Sequence, residues 1–301
     1  MHYQRRQHFL ICLTVLVVLL AGCASPAGSA PPAAEDTLSV QPSATLAPTE
    51  VLPTLTPSPA GCLETQGHFE YHEIQTELMT HPLSFRVYLP VCYEADGEYR
   101  YPVLYFLHGQ SFTDDQWDRL GADEKLDELI LAKEVAPFII VMPKEADYMS
   151  NQWDSKYGPA LAEELTVWMD ANYPTCTERD CRAIGGLSRG AAWAMRTGLI
   201  YWETFGTIGT HSLAPFRGDF NEAPFWFKEI PEEDLPRIWI DIGVLDVNLD
   251  AANTFEVRLT KYRIPHEWHI FLGTHNEDYW AAHVEEYLRW YAEAWAERLD
   301  L

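Results

Sequence analysis

The segment that most constrains the fold of this chain is residues 184–191, which read IGGLSRGA. Residues 181–184 predict a short strand, and residues 191–196, AAWAMR, are good helix formers. Glycines stand two positions before and two positions after Ser188. At a tight strand-to-helix turn, a side chain at either glycine position would collide with neighbouring backbone, and glycine removes that collision. The segment therefore predicts an α/β chain with Ser188 at a strained turn.

The pattern Gly-x-Ser-x-Gly suits a nucleophilic serine. The N-terminus of the following helix directs backbone N–H groups and the positive end of its dipole at an oxygen that becomes negative during reaction. By itself the pattern also fits a glycine–serine turn in any α/β protein. The strand before it and the helix after it favour the catalytic interpretation.

The N-terminus carries the features of an export signal. Two arginines precede an apolar run at residues 9–20, which is too short to be a good membrane span. The run leads into LAGC at residues 20–23, which resembles the lipobox of bacterial lipoproteins; an ordinary signal peptide with a coincidental cysteine is the alternative. The resemblance implies a signal peptide at residues 1–22, lipid on Cys23, and an exported, extracytoplasmic protein anchored to the bacterial cell membrane.

Composition divides the rest of the chain in two. Residues 23–61 are rich in Pro, Ser, Thr and Ala and predict a disordered tether after the lipidated cysteine. Residues 62–301 form the predicted enzyme domain, and the chain's 47% hydrophobic content supports a sizeable core. The formal net charge of −24 argues against nucleic acid as a partner, because its phosphates would be repelled.

Four cysteines lie beyond the signal and the anchor, namely Cys62, Cys92, Cys176 and Cys181. An even number in an oxidising compartment predicts two disulfides, for which three pairings are possible. We favour Cys176–Cys181, which closes a short loop before the serine strand, and Cys62–Cys92 near the start of the domain. The spacing of these residues does not suggest a zinc site, so we expect neither a metal nor a cofactor.

Strands and helices alternate through the predicted domain. Residues 83–90 alternate apolar and polar side chains, whereas residues 101–107 and 138–142 are continuous apolar runs typical of strands buried on both faces. Further strands are predicted at residues 205–210, 238–242 and 268–272, and helices at residues 122–133, 161–169 and 279–299. The alternation predicts a doubly wound, mostly parallel sheet flanked by helices, with chemistry at the carboxyl ends of the strands.

A nucleophilic serine needs a base, and His275 is the best-placed candidate. It lies directly after the last predicted strand, in the segment GTHN. His266 and His269 fall at the start of or within that strand, and His283 falls inside the final helix.

The base in turn needs an orienting acid, and Asp246 fits this role. Asp246 lies just past a predicted strand, whereas Asp241 lies within the strand. Asp250 is placed in the first turn of the next helix, where a carboxylate stabilises the helix dipole. The predicted catalytic residues are therefore Ser188, Asp246 and His275.

Two backbone N–H groups are expected to form an oxyanion hole. One belongs to Arg189, directly after the serine, and the other to Gln110, after the strand at residues 101–107. His108, at the base of the same loop, is interpreted as structural.

The candidate substrate-binding residues are Trp117, His211 and Trp226. His211 follows the strand at residues 205–210 and so lies near the edge of the sheet that carries the chemistry. Trp226 belongs to residues 215–236, which we expect to be a loop that roofs the pocket.

Together these motifs resemble the feruloyl esterase, esterase D and enterochelin esterase family of α/β-hydrolases, a group that also contains acetyl-xylan esterases, S-formylglutathione hydrolase and mycolyltransferases. The resemblance spans about residues 67–299 and rests on YPVLYFLHG at residues 101–109, Trp117, GLS at 186–188, GVLD at 243–246 and GTH at 273–275. It implies the α/β-hydrolase fold, with Ser188 as nucleophile, Asp246 as acid and His275 as base. Arg189 and Ala191 depart from the Met and Gly that are frequent in the group, and HSL at residues 211–213 replaces a common Ser-Gly. These departures bear on the substrate preference and not on the triad.

The expected function is that of an extracytoplasmic serine carboxylic ester hydrolase. Its substrate would be a small-molecule or polysaccharide ester, with carbohydrate-linked or aromatic acyl groups as candidates. The alternatives are an acyltransferase of the mycolyltransferase type and a non-catalytic surface binding protein. An intact triad argues against the binding protein only. S-formylglutathione hydrolysis is disfavoured, because that substrate is cytosolic and this chain is predicted to be exported.

Overall fold

The structure is a computed structural model that describes residues 62–296. The predicted signal peptide, the lipidated Cys23 and the predicted tether lie outside the described residues and stay predictions. Among the described residues, no helix combines the length and the apolarity that crossing a bilayer requires.

The described residues contain one sheet of eight strands. The strands are β1 (His68–Ile74), β2 (Leu83–Leu89), β3 (Val103–Leu107), β4 (Ile139–Pro143), β5 (Arg182–Leu187), β6 (Thr207–His211), β7 (Arg237–Gly243) and β8 (Glu267–Phe271). The α-helices are α1 (Gln116–Arg119), α2 (Ala122–Leu131), α3 (Tyr157–Pro159), α4 (Thr166–Asn172), α5 (Arg189–Ile200), α6 (Asp219–Glu229), α7 (Leu249–Tyr262) and α8 (Glu277–Ala296). A π-helical segment, Ala160–Leu165, joins α3 to α4, and 3₁₀ turns occur at Arg179–Cys181 and Glu232–Asp234.

The strand order is β1-β2-β4-β3-β5-β6-β7-β8. β2 runs antiparallel to β1 and β4, and all the other pairs are parallel. The predicted α/β-hydrolase fold with a mostly parallel sheet is therefore confirmed. Because β3, β5, β6 and β7 are parallel neighbours, their carboxyl ends meet at one edge of the sheet, where such folds bind ligands.

Apolar residues bury both faces of the sheet. The continuous apolar strands β3 and β4 are buried at every position, as their sequences predict. One core lies between the sheet and α4, α5, α6 and α7, and a second lies between the sheet and α1, α2 and α8. The two cores fix the central strands and so the loops that follow them.

The structure contains both favoured disulfides, Cys62–Cys92 and Cys176–Cys181. The first joins the start of the described chain to the end of β2. The second closes a short loop immediately before β5.

Residues 215–236 differ from the expected loop, because they contain α6. Pro224 stands inside this helix and lacks the N–H that would donate to the carbonyl of Phe220. The guanidinium of Arg258 on α7 donates to that carbonyl instead, at 2.6 Å. A side chain of α7 thus satisfies the carbonyl that Pro224 cannot, which allows a helix where the proline suggests a loop.

Candidate active site

Ser188 is the single residue between β5 and α5. Its φ of 54° and ψ of −115° are unfavourable for a residue with a side chain, at a typical cost of about 1–3 kcal/mol. The Ser188 N–H donates to the carbonyl of His211 at the end of β6, at 2.9 Å. The sheet therefore holds the strained turn in place.

The two motif glycines are required by close backbone contacts. A Cβ at Gly186 would lie 2.6 Å from the carbonyl carbon of Gly190. A Cβ at Gly190 would lie 2.4 Å from the carbonyl oxygen of Leu107 and 2.5 Å from that of His108. Real side chains do not tolerate such distances, so the steric interpretation of the Gly-x-Ser-x-Gly segment is confirmed.

The structure brings Ser188, His275 and Asp246 together from three separate loops. His275 Nε2 lies 2.8 Å from the Ser188 Oγ, and His275 Nδ1 lies 2.8 Å from Asp246 Oδ2. A carboxylate only accepts, so Nδ1 carries the ring proton and Nε2 is free to accept the serine proton. This is the hydrogen-bonded order that a serine nucleophile requires.

Asp246 is held as a charged carboxylate. Burial acts to raise its pKa, but hydrogen bonds from His275 and from the backbone N–H of Asn248 outweigh burial and hold the pKa below its ordinary value. The Asn248 N–H donates to the Asp246 Oδ1 at 2.8 Å. The hydroxyl of Ser212 also lowers the Asp246 pKa, and it accepts the indole N–H of Trp280 at 2.9 Å.

Sequence reasoning missed Asn248 and Ser212. Asn248 could have been found, because a residue two positions after an aspartate commonly donates its backbone N–H to the carboxylate in an Asx-turn. Ser212 carries no such signal, because its contact with Asp246 joins the loops after two different strands.

The N–H groups of Gln110 and Arg189 belong to residues close to Ser188. Gln110 follows β3 in a loop that lines the same cleft as Ser188, and Arg189 is the first residue of α5. Neither N–H donates a hydrogen bond to another residue within 62–296. Two unpaired donors next to a serine can stabilise an oxyanion.

A cleft of about 620 Å³ opens beside the serine. The lining residues are Gly109, Gln110, Ser111, Phe112, Leu187, Ser188, His275, Asn276, Glu277, Asp278 and Trp280. Phe112, which is 38% exposed, gives it apolar surface, whereas Leu187 and Trp280 are almost fully buried behind it. Glu277 is bound by Arg119 at 3.0 Å and by the side-chain amide of Gln116 at 3.2 Å.

Two of the three predicted substrate-binding residues are buried, which contradicts those predictions. Trp117 is 1% exposed, stacks on Phe106 with ring centroids 3.5 Å apart, and donates its indole N–H to the carbonyl of Leu107. His211 is fully buried, with Nδ1 2.7 Å from Asp241 and Nε2 3.1 Å from the Tyr291 hydroxyl. A position near a strand end does not reveal that helices cover the side chain.

Trp226 also lies away from the cleft. It packs on α6 against the first core, and its ring centroid is 5.8 Å from the guanidinium carbon of Arg196. It is not among the cleft-lining residues. The roofing role predicted for residues 215–236 thus has no support at Trp226.

Asp241, within β7, forms the centre of a buried polar cluster. It accepts hydrogen bonds from the His211 ring, the Trp239 indole, and the hydroxyls of Tyr279 and Tyr287. Burial acts to raise the Asp241 pKa, but His211 and the other donors outweigh it and lower the pKa. The cluster ties β6 and β7 to α8, which begins directly after the His275 loop.

Within residues 62–296, Cys62, Glu64 and Cys92 are the group whose ligand atoms lie close enough to share a metal ion. The two sulfurs are joined in a disulfide and are therefore not thiolate ligands.

The fold and the site together define a protein of the α/β-hydrolase esterase class. The sequence model of the family described as "Putative esterase" matches residues 76–291, and this chain belongs to that family.

Two curated relatives match part of the chain. Esterase Rv1288 of Mycobacterium tuberculosis is 34% identical over 173 residues, which cover 54% of this chain and 36% of the relative. An endo-1,4-beta-xylanase/feruloyl esterase of Xylanibacter ruminicola is 35% identical over 138 residues, which cover 41% of this chain and 18% of the relative. This chain therefore matches about a third or less of the length of these relatives.

Solved structures share the fold. A ferulic acid esterase superposes with a TM-score of 0.67 at 22% identity, over 77% of this chain and 99% of that one. The S-formylglutathione hydrolase of Staphylococcus aureus superposes with a TM-score of 0.61 at 17% identity, over 77% of this chain and 100% of that one.

Proposed function

We propose that this protein is a serine carboxylic ester hydrolase with Ser188 as nucleophile, His275 as base and Asp246 as orienting acid. The carrying observation is the pair of 2.8 Å contacts that links Ser188 to His275 and His275 to Asp246 beside an open cleft. Membership of the esterase family supports the reaction class.

The reaction follows from the geometry. Ser188 Oγ attacks the acyl carbon while its proton passes to His275 Nε2, and Asp246 stabilises the resulting imidazolium. The N–H groups of Gln110 and Arg189 bind the oxyanion of the tetrahedral intermediate. His275 then gives the proton to the leaving alcohol, and an acyl group remains on Ser188. Water, deprotonated by His275, attacks this acyl group and releases the acid.

The substrate class that the cleft favours is an ester with an aromatic acyl group or a carbohydrate alcohol. Phe112, which is 38% exposed, offers aromatic surface in the cleft beside Ser188, and such a ring stacks on aromatic and sugar faces. One solved neighbour is a feruloyl esterase module from Clostridium thermocellum complexed with sinapinate. By analogy with that protein, we propose that this chain also accepts esters of aromatic acids.

The proposed location rests on the predicted export signal. Lipid on Cys23 and a tether at residues 23–61 would hold the enzyme on the outer side of the cell membrane, within reach of a small-molecule or polysaccharide ester. Labelling of cells with radioactive palmitate tests this point: a Cys23→Ser variant should lose the label.

Hydrolysis of p-nitrophenyl acetate and methyl ferulate by the full chain tests the function. Turnover should fall by about a thousandfold or more in Ser188→Ala, because the nucleophile is removed. Circular dichroism of both proteins checks that the fold is unchanged. Absence of turnover in the unmodified chain would contradict the proposal and would shift weight to an acyltransferase or a binding protein.

A further inference from the structure

Glu145 is a buried carboxylate beside the serine turn that the proposed reaction does not use. It lies two residues after β4 and is 6% exposed. Arg189 donates to it twice, from Nε and Nη2, at 2.7 Å each. The indole N–H of Trp193 donates to the same carboxylate at 2.9 Å. The bidentate guanidinium geometry fixes orientation as well as distance.

The backbone of Glu145 reaches the other side of the site through His108. The Glu145 N–H donates to His108 Nε2 at 2.9 Å, so the ring proton is on Nδ1. Nδ1 then donates to the carbonyl oxygen of Gly109 at 2.8 Å. Burial lowers the pKa of His108, which agrees with a neutral ring that accepts on one side and donates on the other.

The contact from His108 to the Gly109 carbonyl, which also accepts the Phe112 N–H at 3.2 Å, helps to set the direction of the Gln110 N–H. The Gly109 carbonyl and the Gln110 N–H belong to one trans peptide plane and point in opposite directions. Holding the carbonyl towards His108 therefore aims the N–H away from His108. The Gly109 N–H is also held, by the Gln116 side-chain oxygen at 2.8 Å, so the peptide planes on both sides of Gly109 are fixed.

The contact to Arg189 controls the second donor. Arg189 is the first residue of α5, and its N–H is the partner of the Gln110 N–H in the proposed oxyanion hole. Its guanidinium is anchored by Glu145 and packs 5.1 Å from the centre of the Phe216 ring. Since Glu145 neutralises this charge, the hole acts through backbone dipoles rather than through the arginine cation.

We propose that Glu145 is a positioning residue that holds both oxyanion-hole donors in register, through His108 on one side and Arg189 on the other. The inference rests on the proposed function. A donor acts on the transition state only when its N–H is aimed at the oxyanion, so a loosened peptide costs rate and leaves substrate binding intact.

Charge-conserving variants of the full chain test the inference. Glu145→Asp is one methylene shorter and cannot keep both its backbone position and the two hydrogen bonds with the Arg189 guanidinium. Arg189→Lys keeps the charge and loses this bidentate contact. We expect kcat to fall about 10- to 100-fold in each, with KM changed less than about threefold. Glu285→Asp, which shortens another Glu–Arg pair, on α8, is the matched control and should keep its kcat.

A trifluoromethyl ketone, which forms a hemiketal oxyanion on the serine, reports on the hole directly. Its inhibition constant should rise in Glu145→Asp by about the factor lost in kcat/KM. Rates are normalised to the active sites titrated with a fluorophosphonate, so partial unfolding cannot imitate the effect. In a double-mutant cycle, Glu145→Gln/Arg189→Met should lose no more activity than the worse of its two single variants.

The outcomes separate the two proposals. If unmodified protein turns over esters and both charge-conserving variants keep their kcat and their affinity for the ketone, the positioning role is overturned and the esterase proposal stands. A rise in KM alone also overturns it, because Glu145 would then act in substrate binding. If the unmodified protein neither reacts with the fluorophosphonate nor turns over esters, the proposed function fails, and the inference fails with it.

Discussion

At the scale of single residues, the contact between Asp246 and His275 decides which nitrogen of the ring can accept a proton. The lowered pKa of Asp246 means that its carboxylate stabilises the fold at every pH above its ordinary value of 3.8. This contribution is lost only as the pH falls through the lower folded value. Loss of activity above about pH 4 is therefore not a titration of Asp246.

Replacing Asp246 with asparagine tests its orienting role. The amide nitrogen of Asp246→Asn would donate to His275 Nδ1, which moves the ring proton to Nε2 and blocks acceptance from Ser188. We expect kcat for p-nitrophenyl acetate to fall by about 10²–10⁴-fold with little change in KM. Asp250→Asn on α7 is the control and should retain activity. A loss smaller than about tenfold in Asp246→Asn would contradict the assignment.

Phe112 and Trp226 offer a matched pair for acyl preference. Phe112 lines the cleft and is 38% exposed, whereas Trp226 packs on α6. Phe112→Ala should reduce kcat/KM for methyl ferulate relative to p-nitrophenyl acetate by about 5- to 20-fold, because a stacking surface is lost. Trp226→Ala should leave the ratio unchanged. The reverse result would restore the roofing role of residues 215–236.

At the scale of elements, the packing of α5 against the loop after β3 holds the serine turn. Gly190→Ala places a methyl group 2.4 Å from the Leu107 carbonyl oxygen, so α5 or the β3 loop must shift. We expect stability to fall by about 1–3 kcal/mol and kcat to fall about 100-fold or more.

Gly97→Ala provides the comparison for that variant. Its new Cβ would meet first the flexible carboxylate end of Glu94, at 3.0 Å. Urea unfolding and ester turnover should therefore change little in Gly97→Ala. Equal behaviour of the two alanine variants would contradict the steric account of the Gly-x-Ser-x-Gly turn.

The junction of α5 with α6 contains a carboxyl group that is poorly paired. Burial raises the pKa of Asp219 to about 7, despite Arg196 at 3.4 Å. The attraction does not offset burial, because Arg196 Nη1 and Asp219 Oδ1 form no hydrogen bond with each other or with any other described residue. Between its ordinary pKa of 3.8 and the folded value of about 7, the folded chain binds more protons than the unfolded chain.

Stability should therefore decrease as the pH rises through this window. Asp219→Asn removes the titration, so the change in unfolding free energy between about pH 5 and pH 8 should shrink by about 2–3 kcal/mol. Chemical denaturation at the two pH values measures it, with exposed Asp154→Asn as the control. An unchanged pH dependence in Asp219→Asn would show that Asp219 is ionised in the folded chain at neutral pH.

The sequence predicts the elements whose apolar pattern is strong and the residues that must follow a strand. β3, β4 and the serine turn are predictable because burial on both faces and backbone crowding each leave a direct mark on residue type. Ser188, His275 and Asp246 could be chosen together because loops after parallel strands converge. The burial of Trp117 and His211 could not be predicted from the sequence, because the exposure of such a side chain depends on which helix covers it in the folded chain.

At the scale of the whole molecule, two disulfides close loops of very different length. Cys62–Cys92 spans 30 residues, and Cys176–Cys181 spans 5. In the loop-entropy model the longer loop restricts the unfolded chain more, by about 3–4 kcal/mol against about 2 kcal/mol. Urea unfolding of Cys62→Ser/Cys92→Ser and Cys176→Ser/Cys181→Ser should give losses in that order. A larger loss for the second pair would place its effect in the folded state, next to β5.

The site is assembled from the whole width of the parallel sheet. The proposed nucleophile follows β5, the proposed acid follows β7, the proposed base follows β8, and one proposed oxyanion donor follows β3. Chain segments up to 165 residues apart in sequence, from Gln110 to His275, therefore meet only in the folded state. Activity thus requires the complete sheet, and it reports on folding as well as on chemistry.

The most direct test of the account is the site at which a fluorophosphonate reacts. The full chain is labelled with the probe, and the adduct is located by peptide mass spectrometry. The account predicts one adduct, on Ser188, formed at least about a thousandfold more slowly in His275→Ala and absent in Ser188→Ala. An adduct on another residue, or equal labelling of Ser188→Ala, would contradict the assignment of Ser188 as the nucleophile.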